Sequence, residues 1–469
     1  MSMPSLSFSR SASRIRQLIA GVGAVVVTSV LLLSLAAAPA SAASAEIPVG
    51  DGPASAAYSP DGDTIYITNH DDFSVSVIDS ATNTVRTTIA VGWGPSSLAT
   101  SPDGSILMVS NLYDSTVSVI DTASDLVTAT IPVGLHPYGI VFSTTGDLAY
   151  VVQQDTNGVA VIDTTTNTIV GSDIGVGTHP YGIAITPDGS KLYVSDQATD
   201  TVSVISTATR IRTSSIAVGS NPFSVAISPD GTQAYVTNIG DNTISVIDVA
   251  TDALDPLTPS IVFSQQVVDV EFAPSGQLAY VTEPAVGVQE IDTATNSVDT
   301  SRPPVAGGVA SGWNTLAISP DGLTLILVNG GDDTVSVRDL PTPASITSSA
   351  PPSGRVGESY SFKVTATGRP VPTFVVSSGS LPSGLSLDSV SGVISGTPTT
   401  AATVTFSISA VNGVAAAATS TYTVAITPAA VLAATGLDAG SAGLLGGLAI
   451  LLGGALVIGR RVRAGGRSS

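Results

Sequence analysis

The chain has 469 residues, a formal charge of −20, no cysteine and 5% aromatic residues. The absence of cysteine excludes disulfides, covalent haem attachment and thiolate metal sites, so packing must supply the stability. Seven of the 16 basic residues lie at the two ends of the chain, whereas nearly all 36 acidic residues lie between them. The long middle part is therefore acidic and repels phosphate backbones, which predicts that nucleic acid is not a partner.

Residues 1–42 have the pattern of a secretory signal peptide. A basic segment precedes a long apolar run, and small residues follow it, so we expect a signal helix and cleavage after Ala42 or Ala45. The length of the apolar run leaves an uncleaved anchor as the alternative. The three parts are Arg10, Arg14 and Arg16; Leu18 to Ala38; and Ala40, Ser41 and Ala42.

Residues 43–340 repeat one unit. Each unit has four short runs rich in β-branched residues, such as SSLATS, ILMVSN, TVSVID and LVTATI within residues 96–131, which predicts a four-stranded sheet. Sheets stacked around an axis bury both faces, so we predict an all-β chain with a seven-bladed β-propeller. The units are counted by the turn residue of the SPDG sequence: Pro60, Pro102, Thr144, Pro187, Pro229, Pro274 and Pro320.

The seventh unit lacks a fourth run of its own. After Val335 and Val337 the chain continues as LPTPAS, whereas residues 45–50 match the end of a fourth run such as Ile89 to Gly92. We therefore expect residues 45–50 to complete the seventh blade, which leaves no unpaired edge in the ring.

Several of these runs carry a family resemblance. LYVSD at 192–196, AYVTN at 234–238 and TVSVID at 116–121 resemble the YVTN-repeat family of β-propellers, and the resemblance extends over roughly residues 45–340. Propellers with this repeat are similar to bacterial and archaeal surface-layer proteins and also to lactonase-like enzymes. The resemblance thus implies the fold and leaves the activity open.

Residues 341–427 begin with a proline-rich linker and continue with short alternating runs at the spacing of a β-sandwich. The segment GSLPSGLSLDSVSGVISGTPT at 379–399 resembles immunoglobulin-like domains of bacterial surface proteins. The functional interpretation of this domain is adhesion to carbohydrate or protein. The alternative is a spacer that holds the propeller away from the cell wall.

The end of the chain has the order of a cell-wall sorting signal. A linker at 428–436 is followed by an apolar run at 442–459, long enough for a transmembrane helix, and by a basic cytoplasmic tail at 460–469. The order resembles Gram-positive signals in which a sortase cleaves between Thr and Gly and joins Thr to peptidoglycan. The motif residues are Leu432, Ala433, Ala434, Thr435 and Gly436.

This resemblance implies a sortase and peptidoglycan as partners through Thr435. Ala433 stands where the better-known signal has proline, as in the variant of high-GC actinobacteria. The alternative is a retained membrane span. Both interpretations place the preceding domains outside the cell.

Two sets of repeat positions are expected around one mouth of the propeller channel. The connection into the first strand and the loop after the second strand lie at the same end of each blade, because strand direction alternates. The first set includes His136 and His179. The second set is Asn69, Asn111, Gln153, Asp196, Asn238, Glu283 and Asn329, and His70, Trp93, Tyr138, Tyr181 and Trp313 lie near it.

Histidine, carboxylate and aromatic side chains at one mouth predict a ligand-binding face. The alternative is a structural role: His136 and His179 are duplicated with their contexts LHPYG and THPYG, and the asparagines hydrogen-bond their own turns. Acidic loops such as those at Asp71 and 331–333 lack the fixed ligand spacing of a calcium site, so no metal site is predicted.

No catalytic motif accompanies these residues: the sequence contains no G-x-S-x-G nucleophile turn and no H-E-x-x-H. The preferred hypothesis is therefore a wall-anchored, non-catalytic surface protein without a cofactor, whose monomeric propeller binds an extracellular protein or carbohydrate. The second hypothesis is a lactonase-like hydrolase with a divalent cation. Its candidate catalytic residues are His136, His179, Asp196 and Glu283.

Overall fold

The computed structural model describes residues 45–284, 286–299, 315–414 and 417–430. The predicted signal peptide, sorting motif, hydrophobic segment, basic tail and Trp313 lie outside these residues. The described part is all-β, and it contains no apolar helix of membrane-spanning length. A seven-bladed β-propeller is followed by an immunoglobulin-like domain, as the sequence predicts.

The first four blades follow directly from the repeat. Each is an antiparallel sheet whose strands pair in chain order, and in blade 3 the fourth strand is split into two pieces that both pair with the third strand. The strands are β2 (Pro53–Tyr58), β3 (Thr64–Asn69), β4 (Ser74–Asp79), β5 (Thr84–Ala90); β6 (Pro95–Thr100), β7 (Ile106–Asn111), β8 (Thr116–Asp121), β9 (Leu126–Pro132); β10 (Pro137–Phe142), β11 (Leu148–Gln153), β12 (Gly158–Asp163), β13 (Thr168–Ile169), β14 (Ile174–Gly175); and β15 (Pro180–Ile185), β16 (Lys191–Asp196), β17 (Thr201–Ser206), β18 (Ile211–Ala217).

The last three blades depart more from the repeat. Blade 5 also has a split outer strand, and blades 6 and 7 have shorter inner strands. The strands are β19 (Pro222–Ile227), β20 (Gln233–Asn238), β21 (Thr243–Asp248), β22 (Ala253–Leu254), β23 (Ser260–Val262); β24 (Val270–Phe272), β25 (Leu278–Glu283), β26 (Gly287–Asp292), β27 (Ser297–Val298); and β28 (Leu316–Ile318), β29 (Thr324–Asn329), β30 (Thr334–Asp339), with β1 (Ala45–Pro48).

The beginning of the chain closes the ring. Strand β1 pairs antiparallel with β30, so that Ile47 lies opposite Val335 and Ala45 opposite Val337. Glu46 fixes this strand further: its Oε1 lies 2.6 Å from Nη2 of Arg338, and it accepts hydrogen bonds from the Ser336 hydroxyl. The pairing that the sequence predicts for this segment is thus observed.

The first strands of the blades form the inner wall. They contact one another in an unbroken ring, in the order β2, β6, β10, β15, β19, β24, β28 and again β2. The side chains of the second and third strands fill the space between blades. Tyr66, Tyr150, Tyr193, Tyr235 and Tyr280, the tyrosines of the repeat, are each at most 2% exposed there.

The SPDG turns join the blades at one end of the ring. In blade 1 the Gly62 N–H bonds the Ser59 carbonyl at 2.9 Å, and Gly62 has a φ of 80°, which explains glycine at this position. The turn proline of one blade packs against the turn glycine of the next: a Cβ built on Gly104 would lie 3.2 Å from Cδ of Pro60. Gly62 meets Pro320 in the same way across the closure.

The immunoglobulin-like part consists of three small sheets. Their orders are β31-β34, β32-β39-β38-β35 and β33-β37-β36. Its strands are β31 (Thr342–Ile346), β32 (Gly354–Arg355), β33 (Tyr360–Lys363), β34 (Ala366–Arg369), β35 (Thr373–Gly379), β36 (Leu385–Leu387), β37 (Val393–Gly396), β38 (Ala402–Val411) and β39 (Ala418–Thr427).

Candidate functional site

The turn positions before the first strands have a shared backbone conformation. His136 and His179 have φ angles of 51° and 60°, and the same position has 62° at Gly52, 70° at Gly94 and 57° at Asn221. Left-handed backbone favours Gly and Asn and tolerates His. The carbonyl of each of these residues accepts a hydrogen bond from the loop after the second strand, for example from the Gln154 N–H to His136 at 3.0 Å. Both histidines therefore occupy positions that the fold uses as turns.

The positions that end the second strands lie inside the blades. The sequence analysis expects them around the channel mouth, whereas each of the seven side chains is at most 1% exposed. The asparagines donate to hydroxyls five and seven residues later on the third strand: Asn69 Nδ2 lies 2.9 Å from both Ser74 Oγ and Ser76 Oγ. The asparagine side chains therefore hold the second strand to the third. The seven buried positions are Asn69, Asn111, Gln153, Asp196, Asn238, Glu283 and Asn329.

Two candidate catalytic residues belong to this buried set. Asp196 accepts hydrogen bonds from the Gly177 N–H at 2.9 Å and from the Ser203 hydroxyl at 2.7 Å, and burial raises the pKa of its carboxyl. Burial also raises the pKa of Glu283, and the side chain of Gln289 offsets part of this increase. Among the described residues no group makes a hydrogen bond of good geometry to either Glu283 oxygen. Neither carboxyl reaches the surface where the histidines lie.

The three histidines are at the surface and each contacts a polar neighbour. His136 Nδ1 lies 2.6 Å from Asp155 Oδ2, and His179 Nε2 lies 3.8 Å from Asp155 Oδ1. His70 Nδ1 lies 2.9 Å from Asp71 Oδ1. One carboxylate therefore joins the histidines of blades 3 and 4. Within the described ranges, no three His, Asp or Glu side chains come together as a metal site would require.

Exposed aromatic rings continue from His136 across blades 1 to 3. We name His70, Phe73, Trp93, Tyr113 and His136 the aromatic surface. Trp93 is 54% exposed, and its ring centroid lies 5.2 Å from that of Tyr113, which in turn lies 5.5 Å from His70 and 6.4 Å from His136. Phe73 contacts Trp93 edge to face at 6.2 Å. Sequence analysis identified three of these residues and missed Phe73 and Tyr113, whose counterparts in the other units are not aromatic.

Charge around the aromatic surface is of one sign. The described loops at this end of the propeller contain many aspartates and neither Lys nor Arg. Asp51 illustrates the effect, because the neighbouring carboxylates of Asp72 and Asp333 raise its pKa. Some of these aspartates also bond loop backbone, as Asp114 Oδ2 does with the Trp93 N–H at 2.6 Å. The aspartates are Asp51, Asp71, Asp72, Asp114, Asp155, Asp200, Asp241, Asp332 and Asp333.

The channel holds a second group of candidate side chains. The inner strands enclose a cavity of about 450 Å³. Tyr138, Tyr181 and Phe223, from three successive blades, stack on its wall with ring centroids 3.7 and 3.9 Å apart. Sequence analysis placed the two tyrosines near the mouth, and the structure places them on this wall.

Asp269 and Glu271 of blade 6 also line the cavity. Sequence analysis did not identify these carboxylates, although comparison of the units could have found them. At the position of Asp269 the other units have only Ser, Gly or Thr, and at the position of Glu271 they have only Ala or Val. The cavity thus combines an aromatic wall with two acidic side chains.

Comparison with known proteins supports the two folds. Residues 30–175 match the family described as "Lactonase, 7-bladed beta-propeller", and residues 342–427 match the family described as "Putative Ig domain". A search of curated proteins gave no match. Hydrazine synthase of Kuenenia stuttgartiensis is similar in structure, with 24% identity, a TM-score of 0.55 and coverage of 62% of this chain and 96% of that one. At this identity the likeness concerns the fold.

Proposed function

We propose that this chain is an exported cell-surface protein, anchored to the cell wall through Thr435, which binds an extracellular protein or carbohydrate through its propeller. The observation that carries the binding role is the aromatic surface. Trp and Tyr rings are enriched where proteins bind partners, because they bury a large area at a small cost in conformational entropy. Here adjacent blades expose Phe73, Trp93 and Tyr113 together.

The surrounding charge narrows the class of partner. Aspartates surround the rings, and no Lys or Arg lies in the described loops at this end. An anionic polymer would be repelled from this face, so the expected partner is neutral or positively charged where it meets the rings. Asp155 and the histidines beside it supply hydrogen-bonding groups for a polar rim.

The binding role is tested by measuring how strongly cells that display the full chain adhere to extracellular matrix or to neighbouring cells. Replacing both Trp93 and Tyr113 by Ala should weaken adhesion at least tenfold, because central aromatic residues commonly supply about 2 kcal/mol each. The control replaces Leu126 and Ile211 by Ala, two exposed apolar residues of outer strands, 63% and 62% exposed. Equal loss in both double variants, or none in either, would remove the aromatic surface as the binding site.

Wall anchoring is tested separately through the sorting motif. Wall-degrading enzyme should release the chain from intact cells, whereas Thr435→Ala should leave it in the detergent-soluble membrane fraction, because the sortase joins the threonine carbonyl to peptidoglycan. Complete recovery of the unaltered chain by detergent alone would contradict wall anchoring and would favour the retained membrane span.

A lactone hydrolase is the second candidate, and the family match over residues 30–175 favours it. The exposed pair of His136 and Asp155 is the site where such chemistry would begin. The test is turnover of simple lactones with and without added divalent cation. His136→Ala and Asp155→Asn should abolish turnover if the candidate is right, whereas Glu283, which is buried between strands, no longer belongs to the candidate site. Absence of turnover in the unaltered chain, or equal rates in the variants, would exclude it.

A further inference from the structure

The channel cavity is formed by inner strands, whereas the aromatic surface is formed by loops. The chemistry of the cavity is therefore a separate question. Among the described residues, its lining contains two carboxylates, Asp269 and Glu271, and no Lys, Arg or His. Both carboxylates are partly exposed to the cavity, and charges held away from bulk water are normally paired with an opposite charge or with a ligand. The acidic pair in this cavity has no such partner among the lining residues.

Hydrogen bonds satisfy only part of the acidic pair. Asp269 Oδ1 accepts from the Ser224 hydroxyl at 2.6 Å, and its Oδ2 accepts from the Leu316 N–H at 2.9 Å. Glu271 Oε2 accepts from the Ile318 N–H at 3.0 Å. In the described part of the chain, no donor bonds Glu271 Oε1. One carboxylate oxygen on the cavity wall is therefore available to a ligand.

The surroundings of the pair raise the pKa of both carboxyl groups. Burial raises the pKa of Asp269, and burial together with the charge of Asp269 raises that of Glu271 to about 8. The other titratable groups near the pair are Tyr58 and Tyr181. Burial raises the pKa of Tyr58 to about 12 and that of Tyr181 well above 10, so both stay neutral. Asp321, which is near Tyr58, is engaged within its own turn by the Ser319 hydroxyl at 2.6 Å.

We propose that the channel is a binding site for a small organic amine, whose ammonium group is held by Glu271 and Asp269 and whose carbon chain lies toward the stacked rings of Tyr138, Tyr181 and Phe223. An ammonium group has three donors and needs few acceptors. Aromatic faces attract cations and also cover an alkyl chain. The cavity volume of about 450 Å³ is in the range of small-molecule sites.

An inorganic cation suits the site less well. Calcium takes six to eight oxygen ligands, and magnesium requires a near-octahedral shell. The described residues bring together no group of three His, Asp or Glu side chains. Three of the four carboxylate oxygens already accept hydrogen bonds from the protein. The cavity therefore offers a charge and a hydrogen-bond acceptor rather than a metal shell.

The test is calorimetric titration of the full chain in detergent with butylamine at pH 6 and pH 8, with butanol as the uncharged probe. Butylamine should bind at least tenfold more tightly at pH 8, because Glu271 must lose its proton to hold the ammonium. At pH 7 its binding should release a proton, measured by comparing buffers of different protonation enthalpy. Equal binding of butanol, or affinity that does not change with pH, would overturn the proposal.

Variants locate the site. Glu271→Gln keeps an oxygen for the Ile318 N–H and removes the charge, so it should weaken butylamine binding at least tenfold and abolish proton release. Asp63→Asn, which removes an exposed charge from a turn, should change neither. Unchanged butylamine binding in Glu271→Gln, or displacement of butylamine by calcium, would refute the amine site. If Glu271→Gln does not fold, the pH dependence and proton release of the unaltered chain still decide the proposal.

Discussion

Closure of the propeller by β1 predicts a measurable role for Ile47. This side chain is 4% exposed and packs in one cluster with Ile65, Ile326 and Val335. Ile47→Ala removes three carbon atoms at about 0.8 kcal/mol each and leaves a cavity, so the free energy of unfolding should fall by about 3 kcal/mol. With an unfolding entropy of about 2.1 cal/mol/K per residue over roughly 300 residues, the melting temperature should fall by about 5 °C.

The matched control is Ile131→Ala, at the equivalent position of β9 in blade 2 and also 4% exposed. Both variants should melt earlier. Only Ile47→Ala should also open the ring locally, because β1 is joined to blade 7 by pairing and side-chain contacts and not by a preceding strand of that blade. Hydrogen exchange of the β1 amides and of the Val49 N–H, which bonds Asp333, should therefore accelerate at least tenfold. Unchanged exchange there, or a melting shift below 1 °C, would refute closure by β1 as a stabilising contact.

Three further substitutions test particular contacts. Gly104 has a φ of 74°, and a Cβ built on it would lie 3.2 Å from Cδ of Pro60, so Gly104→Ala should lower the free energy of unfolding by about 1 to 2 kcal/mol. The control is Gly171→Ala, where φ is 78° but no atom lies near the added Cβ, and its loss in thermal unfolding should be smaller. Equal losses would refute the packing contribution. The melting temperature of Asp196→Asn minus that of the unaltered chain should be larger at pH 7 than at pH 3.5, because the raised pKa of Asp196 makes its ionised form destabilising. A smaller difference at pH 7 would contradict this. The contribution of Glu271 to stability is complete below its unfolded pKa near 4.5 and is lost as pH rises through its folded pKa of about 8. Between these values the free energy of unfolding should fall by up to about 1.4 kcal/mol per pH unit. Denaturation of the unaltered chain should show this slope relative to Glu271→Gln, and parallel curves for the two proteins would argue against it.

The repeat made the fold predictable from sequence. The turn residues from Pro60 to Pro320 fix seven units, and the short seventh unit together with Ile47 predicts the closure that β1 makes. These features are strongly determined because each one recurs in the sequence and is tied to a backbone requirement, such as the positive φ of Gly62. The blade boundaries follow from the same pattern without any knowledge of distant contacts.

The candidate site was predicted less completely, because periodicity places a residue at an end of a blade but does not say whether its side chain faces solvent. Asn69 and Glu283 are at the predicted end and are buried between strands. Tyr138 and Tyr181 lie on the channel wall, where they meet each other and Phe223. That contact joins three blades, and no single unit contains the information needed to predict it.

Differences among the units separate side chains that the fold requires from those that it does not. His136 and His179 share their left-handed turn with Gly52, Gly94 and Asn221, so the backbone accounts for their position although it does not require an imidazole. Asp269 and Glu271 have no such account, since every other unit has a small or aliphatic residue at these two positions. Their hydrogen bonds to Ser224, Leu316 and Ile318 join blade 6 to blades 5 and 7, yet the five junctions that do not involve blade 6 form without carboxylates. Junctions between blades therefore do not require carboxylates in the channel, and the proposed amine would account for the two that blade 6 places there.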